Sequence, residues 1–242
     1  MIGQILITGA SSGIGREISI KLSELGYQCV LTGRNLKELE ITLKKMSGLN
    51  HTIFSGDLND NLFINKLSHE INQLSGVIHS AGIIKLLPFK YINRVDFDEI
   101  MNTNLFSPFF LTQSLIKKKK ILNDSSILFI SSISGPIVGS KGNMMYSASK
   151  SAVNGIIKVL ALELADKKIR VNAISAGMIY SDMWKGDNNI ISTDQLIEDS
   201  KKYPLGYGKP SDVASLASFL ISNESTWITG STIVLDGGFT IQ

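Results

Sequence analysis

A tyrosine and a lysine stand four positions apart in Tyr146-Ser147-Ala148-Ser149-Lys150, with only small residues between them. Four positions is one helical turn, so both side chains rise from the same face. An unaided phenol has a pKa near 10 and is a poor base at neutral pH. An ammonium group one turn away stabilises the phenolate and lowers that value. The pair therefore suits proton transfer to a group bound on that face, and the small residues keep the face open. Taken by itself, the same pattern also describes a surface helix with an incidental aromatic and lysine. Its meaning depends on what the rest of the chain places around it.

The surrounding chain switches its hydrophobic period repeatedly. Short apolar, β-branched runs at 4–8, 27–33, 51–56, 76–82, 126–132, 169–175 and 231–238 read as strands. Helical spacing lies between them, at 14–25, 36–46, near 60–74, about 97–121, about 145–166 and around 211–221. Strands that are apolar throughout are buried on both faces. Alternating with helices, they predict βαβ units, right-handed crossovers and an α/β doubly wound parallel sheet, a Rossmann fold of about seven strands with helices on both faces. No linker, low-complexity segment or repeat marks a second domain, so residues 1–242 are expected to form one domain.

The first strand runs into Thr8-Gly9-Ala10-Ser11-Ser12-Gly13-Ile14-Gly15. A strand-to-helix turn at the carboxyl edge of a parallel sheet is where such folds bind ligands. Glycines there permit a tight turn and let the backbone approach a diphosphate, while the helix N-terminus offers unpaired N–H groups and a favourable dipole. This position predicts dinucleotide binding. The second strand ends Thr32-Gly33-Arg34-Asn35. The acidic residue that would accept hydrogen bonds from a ribose 2′-hydroxyl is absent, and Arg34 supplies a planar fork suited to a 2′-phosphate. NADP(H) is thus expected over NAD(H).

Composition narrows the classes further. With 43% apolar and 19% charged residues and a net charge of +3, the chain reads as an ordinary globular protein. Lys117 to Lys120 form its one run of four cations, a cluster expected to cap an exposed helix end, and nucleic-acid binding is not expected. The single cysteine, Cys29, excludes an internal disulfide or a cysteine-based metal site and fits the reducing cytoplasm. His51, His69 and His79 show no ligand spacing, so no metal is expected. The N-terminal stretch lacks the pattern of a signal peptide, and no apolar run reaches the roughly 18 residues of a membrane span.

The sequence resembles the short-chain dehydrogenase/reductase family, in its compact single-domain branch, over essentially its whole length. The likeness rests on TGASSGIG (8–15), Asp57-Leu58, Ala81-Gly82, Asn104, SSISG (131–135), YSASK (146–150), the Gly177 loop and ITGSTIVLDGG (228–238). The resemblance implies that Tyr146 protonates a carbonyl oxygen as hydride arrives from the nicotinamide. It also implies that Lys150 bonds the nicotinamide ribose, that Ser132 holds the substrate oxygen and that Asn104 supports a proton relay. By residue type alone Ser131 and Ser134 compete with Ser132, and alignment on SSISG selects Ser132. Gly9, Ser11, Ser12, Gly13, Ile14, Gly15, Asp57, Leu58, Ala81, Gly82, Gly177, Ile179 and Ser181 match positions that contact the cofactor. The chain departs from the family at His79-Ser80, where two asparagines are usual, and at Ala176, where proline is usual. A structural role is expected for His79.

The stretch 178–209, with Tyr180, Met183 and Trp184, reads as a cover over the substrate. A small-molecule carbonyl or alcohol is expected there, with a carrier-bound 3-oxoacyl thioester, a keto-sugar or a xenobiotic carbonyl all open. The family resemblance implies a homo-oligomer, tetramer or dimer, through the long helices. The second carries Ile156, Ile157, Leu160 and Leu164 as candidate contacts. A rival reading, a catalytically idle dinucleotide sensor or scaffold on the same fold, is disfavoured because Ser132, Tyr146 and Lys150 are all present.

Overall fold

The computed structural model describes residues 4–180 and 198–241. Seven strands form one parallel sheet: β1 (Gln4–Thr8), β2 (Gln28–Gly33), β3 (Thr52–Ser55), β4 (Leu74–His79), β5 (Ile121–Ser132), β6 (Arg170–Ala176) and β7 (Thr232–Leu235). Their order across the sheet is β3-β2-β1-β4-β5-β6-β7. The chain therefore winds outward in one direction, then crosses back to begin β4 beside β1. The strand order reverses at that seam, the position where parallel sheets open a crevice at their carboxyl ends.

The inner strands β1, β2, β4, β5 and β6 are largely buried on both faces, as their apolar runs require, while the edge strands β3 and β7 are partly exposed. Ile5, Ile7, Leu31, Ile78, Leu128, Ile130 and Ile174 face helices α1 (Gly13–Glu24), α2 (Leu36–Lys44) and the last helix (Pro210–Ile221). Leu6, Val30, Val77, Ile127, Phe129, Val171 and Ala173 face α3 (Asn61–Glu70), α5 (Ser107–Lys117) and α6 (Met144–Glu163). The last helix is α7. Each fully buried Leu or Ile contributes about 1.5–3 kcal/mol by removal from water.

Two elements differ from the sequence reading. The helix expected over about 97–121 is interrupted: α4 (Arg94–Met101) passes through a π-helical turn at Asn102–Phe106 before α5. Pro108 supplies the reason, because it has no N–H to donate to the Asn104 carbonyl four residues back and its ring crowds that carbonyl. The turn widens to relieve the clash, the usual form of a π-bulge. The second difference is β5, which begins at Ile121 rather than near 126 and shifts register against β4 between Leu74 and Gly76.

The lysine run behaves as expected of a helix cap. Lys118 donates to the Asn65 carbonyl at 2.9 Å, and Lys120 donates to the His69 and Ile71 carbonyls at 2.9 and 2.6 Å. Lys120 sits at the C-terminal end of α3, where exposed carbonyls and the helix dipole favour positive charge, while Lys118 reaches the middle of the helix at Asn65.

His79 is buried at the end of β4, stacked on Phe129 with ring centroids 4.7 Å apart. Thr112 donates its hydroxyl proton to the Pro108 carbonyl, so its oxygen accepts from His79 Nε2–H at 2.8 Å. Nδ1 is then a bare acceptor with no partner among the described residues. Burial pushes the imidazole pKa down from 6.5 to about 3. The unfolded chain therefore binds the extra proton first, and stability falls as pH drops from about 6.5 toward 3, by up to about 1.4 kcal/mol per pH unit. Thermal unfolding measured between pH 7 and pH 4 is expected to fall less steeply in His79→Asn than in the unsubstituted protein. Parallel curves would refute the role of His79.

Candidate active site

The seam between β1 and β4 carries the first part of the site. Thr8 ends β1, pairs with His79 across the seam, and accepts the Ser80 and Ala81 N–H groups on its hydroxyl, both at 3.1 Å. This draws the turn after β4 against the glycine loop. Gly9 has a φ of +67°, and a Cβ there would lie 2.8 Å from the Ala81 Cα. A Cβ on Gly15 would lie 2.3 Å from the Gly9 carbonyl oxygen. Neither position admits a side chain without moving backbone, so the loop type is fixed by packing.

Behind the loop, Arg16 donates from Nη2 to the Ser11 carbonyl and pairs with Glu38 at 2.6 Å, while its Nε donates to the Thr42 hydroxyl at 3.0 Å. Thr42 in turn donates to the Ala10 carbonyl at 2.8 Å. Two loop carbonyls are thus tied back to α2. Gly9, Ser11, Ser12, Gly13, Ile14, Gly15, Arg34, Asp57, Leu58, Ala81 and Gly82 line one cleft along the carboxyl edge of the sheet. Arg34 is exposed on its wall and makes no ion pair among the described residues. A cradle closed to side chains, a helix N-terminus and an uncommitted guanidinium at the end of β2 fit a dinucleotide with a 2′-phosphate. Sequence reasoning missed Arg16, Thr8 and Asn59. The Asn59 amide oxygen accepts from the Ser107 hydroxyl at 2.6 Å, and its nitrogen donates to the Thr103 hydroxyl at 3.2 Å beside the same cleft.

A second cleft continues from the first, since Ile14, Ser80, Gly82 and Ile83 line both. Ser132, Tyr146, Lys150, Gly177 and Ile179 lie in its walls. Ser131, Ser132 and Ser134, the three competing serines, all line this cleft. Ser131 donates its hydroxyl to Asn154 at 2.9 Å, whereas the Ser132 oxygen accepts the Ser134 N–H at 3.1 Å and its hydroxyl acts to lower the pKa of the Tyr146 phenol. Asn104 lies outside this wall but braces it. Its Oδ1 accepts the Ile83 N–H at 2.8 Å, and its Nδ2 donates to the Ile83 carbonyl at 2.9 Å and to Ser149 at 3.1 Å. The π-turn places this asparagine between the strand edge and α6.

The electrostatics differ from the simple charge argument. Burial raises the Tyr146 phenol above its ordinary value of 10.0, and the Ser132 hydrogen bond opposes that rise. Lys150 is buried, its pKa pushed down to about 8 by desolvation. Its Nζ donates to the Ile130 carbonyl at 2.7 Å and lies 5.5 Å from the Tyr146 ring centroid. With its ammonium tied to β5, the lysine does not overcome the burial of the phenol. Tyr146 is accordingly protonated at neutral pH.

The ends of the expected cover are pinned together by a bridge between Ile179 and Gly208. Ser181, Met183 and Trp184 lie outside the described residues. Tyr203, from the far end of the cover, stacks on Phe239 with centroids 4.6 Å apart, and both line the second cleft. Phe239 follows β7 and carried no motif that could have announced it. Among the described residues no helix is long and apolar enough to cross a membrane, and no group of His, Cys, Asp and Glu could hold a metal ion.

Comparison with known proteins places this geometry in context. Residues 9–240 match the family described as enoyl-(acyl carrier protein) reductase. The chain is 36% identical over 239 residues to the 3-oxoacyl-[acyl-carrier-protein] reductase FabG of Rickettsia bellii (strain RML369-C), covering 96% of this chain and 95% of the relative. It is 32% identical over 248 residues to the FabG of Thermotoga maritima, covering 98% and 97%. Among solved structures, a substituted actinorhodin polyketide ketoreductase with NADPH superposes with a TM-score of 0.90 at 26% identity, covering 99% of this chain and 97% of that one.

Arg34→Ala is expected to weaken NADPH binding by about tenfold or more, the loss of one charge-assisted contact of about 1.4 kcal/mol, with a smaller effect on NADH. Direct titration of both dinucleotides measures this. Unchanged NADPH affinity, or tighter NADH binding in the unsubstituted protein, would contradict the assignment.

Proposed function

The chain belongs to the short-chain dehydrogenase/reductase family and is an NAD(P)-dependent oxidoreductase, and from that premise we propose that it reduces the keto group of a 3-oxoacyl thioester with NADPH. The observation that carries the proposal is the placement of Ser132, Tyr146 and Lys150 in the wall of one cleft that continues from the dinucleotide cradle, with the phenol held in its acid form by burial. A phenol held in its acid form at neutral pH is a proton donor, the role that carbonyl reduction demands.

The glycine loop and Arg34 would hold the dinucleotide, which when bound would supply hydride for the carbonyl carbon. Everything else in the step falls to the chain. Ser132 and Tyr146 offer two hydroxyl donors to the carbonyl oxygen, where negative charge builds as the carbon is reduced. Tyr146 gives its proton to that oxygen. The resulting phenolate is stabilised by the Ser132 hydroxyl and by the Lys150 ammonium on the same helical turn. A Cβ on Gly82 would stand 3.3 Å from Asn104 Oδ1 and 3.7 Å from Lys150 Nζ, so the asparagine and the ammonium flank the same turn. Asn104 is in this reading a positioning residue that holds Ile83 and Ser149 around the lysine. The apolar side chains Ile84, Leu86, Val138, Tyr203 and Phe239 line the rest of the cleft and suit an acyl chain.

The relatives support an acyl-carrier substrate, and the exposed apolar surface supports a homo-oligomer. Ile157 and Leu164 are buried in the core and are not free to form a contact face, whereas Ile156 and Leu160 pack against the core and stay partly exposed. The exposed apolar side chains are instead Val159 and Leu162 on α6 and Phe106, Phe109 and Phe110 at the π-turn and on α5. These two patches are the expected contact surfaces of the homo-oligomer.

Tyr146→Phe is expected to lose about 10²–10⁴-fold in kcat toward an acetoacetyl thioester while keeping NADPH affinity, since it removes the proton and leaves the ring. Steady-state rates with a parallel NADPH titration decide it. Near-full turnover in the variant would overturn the role of Tyr146.

A further inference from the structure

A positive charge near a helix N-terminus opposes the dipole of that helix. Arg16 is the fourth residue of α1 and stands there all the same, directly after the glycine loop. It is not among the residues that line the cofactor cleft. Its side chain, 15% exposed, turns back from the loop, and one nitrogen, Nη2, donates to both the Ser11 carbonyl and the Glu38 carboxylate, the second at 2.6 Å. Nε donates to the Thr42 hydroxyl at 3.0 Å.

Glu38 supplies the reason for the cation. It lies in the first turn of α2, and its N–H donates to the Asn35 side chain at 3.2 Å. Asn35 directly follows Arg34, so this carboxylate belongs to the same turn as the guanidinium assigned to a 2′-phosphate. Ser11 approaches that turn from the other side. A Cβ on Gly33 would lie 3.4 Å from the Ser11 hydroxyl, and Ser11, Gly33 and Arg34 all line the cleft. A carboxylate that shares a donor with Ser11 therefore neighbours the place of the adenosine ribose. Dinucleotide sites that take a 2′-hydroxyl use an acidic residue near the end of the second strand, where its charge repels a phosphate. Here an acid stands in that neighbourhood, 42% exposed, and Arg16 neutralises it.

Resting on the NADP(H) reading, we propose that Arg16 is a positioning residue that holds and neutralises Glu38 and thereby sets the preference for NADPH over NADH. Arg34 attracts the 2′-phosphate, and Arg16 keeps the Glu38 carboxylate from cancelling that attraction. The two dinucleotides differ only at the 2′-position, so a charge in this neighbourhood acts on one and largely spares the other. Loop support alone does not discriminate, because both carry the diphosphate that the glycine loop is shaped to receive.

Fluorescence titration of NADPH and NADH tests this in the unsubstituted protein, Arg16→Gln, Glu38→Gln and the double variant, with thermal melts to establish folding. Arg16→Gln uncovers the carboxylate, and the NADPH-to-NADH affinity ratio is expected to fall about fivefold, less at high salt. Glu38→Gln leaves the guanidinium unopposed, so the ratio is expected to rise. The double variant is expected to return close to the unsubstituted ratio. Equal weakening of both dinucleotides in Arg16→Gln means loop support only and overturns the proposal. So does a ratio unmoved by Glu38→Gln, which carries the test alone should Arg16→Gln fail to fold. An unsubstituted protein that binds NADH at least as tightly as NADPH overturns the NADP(H) reading together with this role. An NADPH preference that neither single substitution moves overturns this role alone.

Discussion

Burying a phenol beside a serine hydroxyl, with an ammonium committed to a neighbouring strand, is the constraint around which this molecule is arranged. Each group is polar, and each loses water on folding. Burial raises the Tyr146 pKa and lowers that of Lys150 to about 8, so both are driven toward their neutral forms. The consequences are opposite in kind. A neutral phenol is the acid a carbonyl reduction needs, whereas a lysine easily relieved of its proton must be held in place by a carbonyl. The Ile130 oxygen, at 2.7 Å, does that.

The remaining architecture keeps these groups in register. Ser132 ends β5 and Tyr146 lies in the first turn of α6, both in the wall of one cleft, so a strand and a helix must meet at a fixed height. Asn104 helps to set that height through Ile83 and Ser149. It reaches them because Pro108 breaks the regular helix and leaves a π-turn at this point. On the other side, Thr8 binds the chain after β4 to the end of β1. Cradle and catalytic cleft therefore share walls, lined in common by Ile14, Ser80, Gly82 and Ile83.

Much of this was legible in the sequence because it depends on local patterning. Unbroken apolar strands, intervening helical periods and a glycine-rich first turn define the sheet and its cleft, and the Tyr146–Lys150 spacing defines one face of α6. What escaped depends on contacts between distant segments. The helix over 97–121 reads as continuous because hydrophobic periodicity does not register one missing N–H at Pro108. Ile157 and Leu164 look free to meet a partner subunit because periodicity marks an apolar stripe without showing that the core already covers them. The phenol seemed destined for a lowered pKa because spacing shows the ammonium and hides the desolvation.

The balance between burial and the Ser132 hydrogen bond is measured most directly by titrating the phenol. Ultraviolet difference titration of the cofactor-free protein against Tyr146→Phe isolates residue 146, and repeating it in a Ser132→Ala background removes the opposing bond. The account predicts ionisation above the ordinary tyrosine value of 10.0, and higher still without Ser132. Ionisation at or below that value, or indifference to Ser132, would contradict it.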